Sequence, residues 1–516
     1  MRWWLPAVVV VIAAATVAGI SHAPELPIVR KLLYNALTVA VSLLMLLGWF
    51  LFLSAFRWRT RILTLLALVL AVLGFSRLVR LDGSTSGAGT PRLSWKWTPR
   101  RSGEIEPRAV ATFRTATPGG DLKATVAYPG FLGAERNGIV PGISLERDWA
   151  SHPPELLWRQ PVGLGWSGFA VVGSSALTQE QRGPHELVIC YDLATGRTLW
   201  THTNDARFSE PIGGDGPRAT PMIFSDRVYA LGATGILDCL ELADGKLVWT
   251  RNTLGQNRRP DLIWGLSSSP LITGGLVVVN GGMTNGPTLW AYRLADGAVA
   301  WKSGTDQASY SSPTLATLCG KRQILSVNAA SVTAHDPADG HILWNYGWKS
   351  WGPRCAQPVA IAGDRVFLSA GFGVGCVMLQ IKEDAAGALS VAELWKNLRL
   401  KTQFSTALVR DKYAYGLDEG VLACLDLNTG ERKWKDGHYG FGQVVMVGDS
   451  LVVQSEAGPV VMVEASPAEF HELGRFNALS SKTWNTVAAA GEFFLTRNDQ
   501  EAVCYRLPLR AGHPAN

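Results

Sequence analysis

The chain has 516 residues, 48 basic against 42 acidic, and a formal net charge of +6. Much of that excess is local, since nine of the 48 basic residues lie between Arg77 and Lys123, and with no nucleic-acid motif beside it no nucleic-acid partner is expected. The seven cysteines form no CxxC and the nine histidines no HExxH, which leaves no zinc-ribbon, thioredoxin-like or metalloprotease signature.

The N-terminus reads as membrane material. Leu32 to Phe56 carries no charge and is long enough to span a bilayer, and shorter apolar runs lie on either side, giving spans near 5–20, 32–56 and 62–79. A cleaved signal peptide is the rival reading of the first run, but Pro24 after Ser21-His22-Ala23 is a poor cleavage context. Arg57, Arg59 and Arg61 favour a cytoplasmic loop between the second and third spans, whereas Arg30, Lys31, Arg77, Arg80 and Arg92 pull the other way.

Residues 81–125 are rich in Gly, Ser, Thr, Pro and Arg and read as a flexible basic linker, because such a stretch buries too little apolar surface to offset its ordering entropy. Within it, Trp95-Lys96-Trp97 suits either an interfacial anchor or a locally packed pair. A lead-in at 126–154 follows, with an aromatic, a Gly-containing bend and an Arg-Asn-Gly turn between Tyr128 and Gly138, read as a plug on one face of what comes next.

From residue 155 to 510 one phrase recurs: an apolar strand, a turn ending in Gly, and a second strand closing on Trp. Cys424 to Trp434 is one copy, and Cys190 to Trp200, Leu240 to Trp249, Tyr292 to Trp301 and His335 to Trp344 are others. Thr-Gly or Asp-Gly supplies the turn position that needs φ > 0, and the flanks alternate apolar residues at period two. The glycines Gly196, Gly245, Gly297, Gly340 and Gly430 set a period of about 40 to 50 residues, with one blurred copy from Ile381 to Trp395. The closing tryptophans fall at 158, 200, 249, 301, 344, 395 and 434, with Leu473 at the eighth place. The spacing predicts an all-β, eight-bladed propeller in which Glu155 to Gln160 completes the last blade, so that no sheet edge is left open. Residues 511–516 are left as a tail.

The phrase resembles the tryptophan-docking repeat of the bacterial quinoprotein-like propellers, the group that holds the pyrroloquinoline-quinone (PQQ) alcohol dehydrogenases and the BamB-type outer-membrane assembly factors. The Tyr128 to Gly138 stretch looks like the lead-in of related propellers. The resemblance implies a propeller working beyond the cytoplasmic membrane, facing the periplasm or cell exterior. It also implies, for the dehydrogenases, adjacent cysteines beside the quinone and carboxylates on Ca²⁺. Here the closest cysteines, Cys355 and Cys376, stand far apart, which favours a binding or assembly scaffold over a PQQ- and Ca²⁺-dependent oxidoreductase and gives no catalytic or metal set. Envelope proteins or a small polar ligand are the partners so implied.

Cys190, Cys239, Cys424 and Cys504 occupy one place in the repeat, where other copies carry Ala291 or Ala334, and read as small buried residues. Aligning the segments that lead into the innermost strands places Trp166, Arg218, Trp264, Tyr310, Gln357, Gln403, Gln443, Trp484 and Asn485 around the channel mouth. Aromatic faces with amides suit a sugar, peptide or flat ligand, and Arg218, Lys401 and Lys482 favour an anion. The same Gln, Asn and Ser residues equally suit satisfying backbone groups around a water-filled channel. Gly213 to Arg218 is glycine-rich but precedes a strand, so it is no helix-capped phosphate cradle.

Overall fold

The computed structural model describes residues 4–23, 26, 28–98, 111–112, 127–255, 262–284, 286–349 and 352–510. Two compact units divide the chain, Met1–Arg100 and Arg101–Asn516.

The first unit holds three helices, α1 (Trp4–His22), α2 (Ile28–Gly48) and α3 (Trp58–Leu78). Each is long and apolar enough to cross a membrane, with α2 running on through a π turn, Trp49–Leu53. A helix end leaves carbonyls without intrahelical partners. Arg61 answers them here, donating to the carbonyls of Leu51, Ser54 and Phe56. The stretch expected to start as a linker at Leu81 departs from that reading: Val79–Ser84 pairs antiparallel with Pro91–Trp95. Its glycines and serines form the connection of a hairpin, with the Thr85 N–H on the Thr90 carbonyl and Gly89 at φ +84°. The remainder of the linker, apart from Ala111–Thr112, and the tail 511–516 lie outside the described residues.

The second unit is a ring of eight sheets whose blade strands pair antiparallel. Blades one to seven each take four consecutive strands, beginning with Ala170–Val172, Met222–Phe224, Leu271–Thr273, Thr314–Leu318, Val359–Ile361, Leu408–Arg410 and Gln443–Val447. These first strands are innermost. Blade eight is composite, because Glu155–Pro161 pairs with Glu501–Arg506, outside Phe493–Arg497 and Ala488–Ala490.

The Trp and the Gly of the repeat serve neighbouring blades. The Trp200 indole N–H donates to the Leu242 carbonyl in the next blade's turn, and the same bond joins Trp158 to Leu193, Trp249 to Leu294, Trp301 to Pro337, Trp395 to Leu427 and Trp434 to Ser466. The indole face fills the space a Cβ would need: at Gly245, φ +75°, an added Cβ would lie 2.3 Å from Trp200 Cε3. Glycine is therefore required there twice, by its left-handed backbone and by the ring against it. Trp158 meets Gly196 in the same way, so the N-terminal strand docks blade eight onto blade one.

Two junctions depart from the pattern. Blade five has the lengthened turn after Ile381, and Trp344 donates instead to Gln323 Oε1, while Lys321 reaches the Gly387 carbonyl and Glu383. In blade seven the eighth place belongs to Gly474, not Leu473. Gly474 lies opposite Met462 just as Trp434 lies opposite Cys424, with the same bulge beside each pair but a longer turn between the partners in blade seven.

The lead-in packs on the inner strands of the ring. Ala127–Tyr128 pairs with the innermost strand of blade one, and Ile139–Val140 runs parallel to that of blade seven. Between them the Pro129 carbonyl accepts from Ile223 of blade two, and buried Arg136 donates to the carbonyls of Ser269 and Pro270 ahead of blade three. All seven cysteines are unbridged. Cys190, Cys239, Cys424 and Cys504 are buried, each paired across the strands with a docking tryptophan.

Candidate functional site at the channel mouth

The nine residues expected at the mouth separate into an aromatic rim and a deeper amide belt. On the rim, Trp166 and Trp484 lie 4.9 Å apart between centroids. Phe404 packs 5.3 Å from Trp484 and 6.2 Å from Phe441, extending the arc into blades six and seven. On its other side the Trp166 indole N–H donates to the Gly213 carbonyl at 2.6 Å. A Cβ on Gly213 would lie 2.8 Å from Trp264 Cδ1, so the loop passes hard against that ring. Trp264 in turn packs 5.3 Å from Tyr310. One arc of aromatic side chains thus runs from Phe441 to Tyr310.

Charge on this rim is paired or laid against rings. The Lys482 ammonium lies 4.0 Å from the Trp484 centroid and 5.0 Å from that of Trp166, a cation–π arrangement. Arg218 stacks 4.5 Å from the Phe208 ring and donates to the carbonyls of Gly214 and Gly216. Burial pulls its guanidinium down to about 10, with Glu210 and Glu186 acting in the opposite sense. Glu210 accepts from the N–H groups of Ile212 and Gly213, and Glu456 from the Trp484 indole and the Phe441 N–H. Behind Arg218, burial raises the Glu186 carboxyl to about 7, and its Oε1 has no hydrogen-bond partner.

The N–H groups of the amide belt are committed to the fold, while Gln357 Oε1 and Asn485 Oδ1 are buried without a hydrogen-bond partner among the described residues. Asn485 Nδ2 donates to the carbonyls of Gly165 and Ser167, Gln443 Nε2 to those of Phe404 and Trp484, and Gln357 Nε2 to that of Ser312. Gln403 is buried beside them, its Cβ 2.8 Å from the point a Gly371 Cβ would occupy. A further series of bonds passes from blade to blade through hydroxyls: Gly168 N–H to Thr220 Oγ1, Thr220 N–H to Ser269 Oγ, and Ser269 N–H to Ser312 Oγ. Lys401, expected to favour an anion, is not at the mouth's disposal. It is buried and ion-paired 3.1 Å from Asp418, which also holds Lys435.

Phe208, Phe404, Phe441, Glu210 and Glu456 are the rim residues that sequence reasoning missed. Phe404 and Phe441 stand inside the aligned segments, one position from Gln403 and two from Gln443, so their signal was the alignment itself. Glu210, Glu456 and Phe208 come from loops that no repeat position marks.

Chemically, the rim offers flat apolar faces flanked by two cations. Cys355, half-buried near Tyr310, is pushed up to about 12 by desolvation and stays a thiol. The group that a quinoprotein would hold here needs a carboxylate set for Ca²⁺ beside the quinone. Glu210 and Glu456 are spent on N–H donors, and among the described residues no three His, Cys, Asp or Glu side chains come together to hold a metal. The residues present do not fit that pair.

Residues 184–436 match the profile of the family described as outer membrane protein assembly factor BamB. The blades are PQQ-like propeller repeats. A curated relative, the outer membrane protein assembly factor BamB of Bordetella pertussis, is 24% identical over 341 residues, 61% of this chain and 77% of that protein. Among solved structures, BamB from Moraxella catarrhalis superposes with a TM-score of 0.50 at 13% identity, over 69% of this chain and all of that one. The quinohemoprotein alcohol dehydrogenase of Comamonas testosteroni gives 0.55 at 12% identity, over 76% of this chain and 82% of that one. At such identities the structural likenesses show that PQQ-like propellers of both kinds share this fold.

Proposed function

We propose that this PQQ-like propeller is a membrane-anchored scaffold, held in the cytoplasmic membrane by α1, α2 and α3, with its ring on the periplasmic or outer side. There its aromatic rim takes a segment of another envelope protein. The observation that carries the reading is the division of labour at the mouth. The amide N–H groups of Asn485 and Gln443 are engaged with the ring's own backbone, and what stays half-exposed is Trp264, Tyr310, Phe404 and Trp484 with Lys482 and Arg218 beside them. Such a surface binds by contact and cation–π attraction and positions no nucleophile against a base. The assembly role printed for the Bordetella pertussis relative supports the same reading. Charge is divided, since Arg57, Arg59 and Arg61 at the start of α3 favour the cytoplasmic side and Arg30, Lys31, Arg77, Arg80 and Arg92 pull the other way, so the outward placing of the ring rests on the resemblance to propellers that work beyond the cytoplasmic membrane.

The test is affinity purification of the full chain from detergent-solubilised membranes, as wild type and as the Trp484→Ala/Phe404→Ala variant. An envelope protein that co-purifies with the wild type and is lost from the variant, whose melting stays cooperative, is the expected result. Stoichiometric uptake of PQQ and Ca²⁺ with dye reduction, and no co-purifying partner, would overturn the reading in favour of an oxidoreductase.

A further inference from the structure

The hairpin that follows α3 is two-faced. Its register sets Val79 opposite Trp95 and Leu81 opposite Leu93, so these four side chains share one face, and Trp97, two residues beyond Trp95, continues it. Arg80, opposite Ser94, lies on the other face with Asp82 and Lys96. The apolar face is bare: Leu81 is 39% exposed, Leu93 57%, Trp95 47% and Trp97 64%. The two indoles stack on one another at 4.8 Å with planes 9° apart, presenting one broad slab.

The hairpin is also fixed in height relative to the helix. The Lys96 N–H donates to the Leu78 carbonyl at 2.8 Å and its ammonium to the Ser76 carbonyl at 3.1 Å, so the second strand satisfies the last turn of α3. Arg80 then locks the two strands through the carbonyls of Lys96 and Thr98. Wherever α3 leaves the hydrocarbon, the tryptophan slab is at that level.

We propose that this hairpin is an interfacial membrane anchor, its Val79, Leu81, Leu93, Trp95 and Trp97 face seated in the lipid headgroup region beside the end of α3. The proposal rests on the reading of α3 as a spanning helix. Trp suits this layer because its ring is apolar and its N–H is polar. Lys96, on the other face, turns its ammonium back to the Ser76 carbonyl and leaves the tryptophan face free of charge. A two-stranded hairpin keeps unpaired backbone groups along both outer edges, which forbids the hydrocarbon core and leaves the interface as the layer that satisfies both faces. The function is to hold the chain leaving the membrane flat against the surface.

The photo-crosslinking residue p-benzoylphenylalanine, placed singly at Leu93, Trp95, Ser94, Lys96 or Leu70 of the full chain in its native membrane, tests this by mass spectrometry of the products. Lipid adducts at positions 93 and 95, several-fold above those at 94 and 96, are the expected outcome. A covalent dimer, or an adduct with another protein, at 93 and 95 would mean that protein covers the face, and would overturn the proposal. So would equal lipid labelling on both faces, or none on either. Position 70, within α3, separates the two layers of inference. Lipid adducts there without any at 93 leave the spanning helix standing and remove the anchor, whereas none at 70 removes the spanning reading itself.

Discussion

Trp149 of the lead-in stands where the eighth docking tryptophan would be: a Cβ on Gly474 would lie 3.0 Å from Trp149 Cβ. The cause lies in how the ring closes. Blade eight takes its outermost strand from the N-terminus, so no turn joins Glu501–Arg506 to Glu155–Pro161, and there is no turn carbonyl for an indole to reach. Trp149 accordingly has no partner for its Nε1, yet it is 3% exposed and packs against Phe476 at 5.5 Å. The lead-in supplies the volume that the repeat omits.

Trp149→Ala should therefore destabilise the ring by about 3–5 kcal/mol, the range for a large aromatic removed from a core. Gly474→Ala should cost about 1–3 kcal/mol in the wild type through overpacking, and little in the Trp149→Ala background. A double-mutant cycle by chemical denaturation reads the coupling. Additive losses would mean that the two residues do not share one space.

The repeat glycines give a second comparison. At Gly183, φ +55°, nothing lies within 4 Å of an added Cβ, so Gly183→Ala meets backbone strain alone. Gly245→Ala meets similar strain together with Trp200. It should lose about 1–3 kcal/mol more than Gly183→Ala, the usual range for overpacking, measured by thermal unfolding of each variant. Equal losses would show that the Trp200 face yields to a methyl group at no cost.

Stability should also depend on pH through Glu186. Its carboxyl is raised to about 7 by burial in the folded ring, above its ordinary 4.5. A raised folded value contributes stability that is complete below pH 4.5 and is lost as pH climbs through 7, on the order of 3 kcal/mol in all. Glu186→Gln keeps the shape without the charge, so its denaturation midpoint should fall less than the wild type's between pH 5 and 8. Parallel pH profiles for the two proteins would remove Glu186 as the source.

The sequence makes the blades legible because each Trp and Gly repeats for a physical reason that acts at most junctions. The channel mouth is legible in part, since position in the repeat finds Trp166, Trp264, Tyr310 and Trp484 but says nothing of what a side chain bonds to. Gln443 and Asn485 thus look the same in sequence whether they hold a ligand or a neighbouring carbonyl, and Lys401 looks free until Asp418 is seen beside it. The eighth docking place was misread for a different reason. A turn longer than that of the regular copies sets Gly474 opposite Met462, and the Trp that compensates lies more than 300 residues away in the chain, outside the repeat altogether.

Closure of the ring is the most demanding consequence of that arrangement. Three layers of N-terminal chain act on it in order: the plug with Arg136, then Trp149, then the strand Glu155–Pro161 with Trp158 docked on Leu193 and Gly196. Arg159, paired with Glu501 and bonded to the Ala478 carbonyl, fastens the same strand to blade eight. Deleting residues 1–122 leaves all three and should yield a soluble, protease-resistant ring. Deleting 1–154 removes the plug and Trp149 but keeps the clasp, and should give a folded ring that melts at a lower temperature. Deleting 1–162 opens the edge of Glu501–Arg506 and strips the docking ring from blade one, which should produce an aggregating, protease-sensitive chain, because unpaired edges template association. Limited proteolysis and size-exclusion chromatography of the three chains give the ranking. If the 1–154 and 1–162 deletions proved equally soluble and equally resistant, the N-terminal strand would not be what holds the eight blades closed.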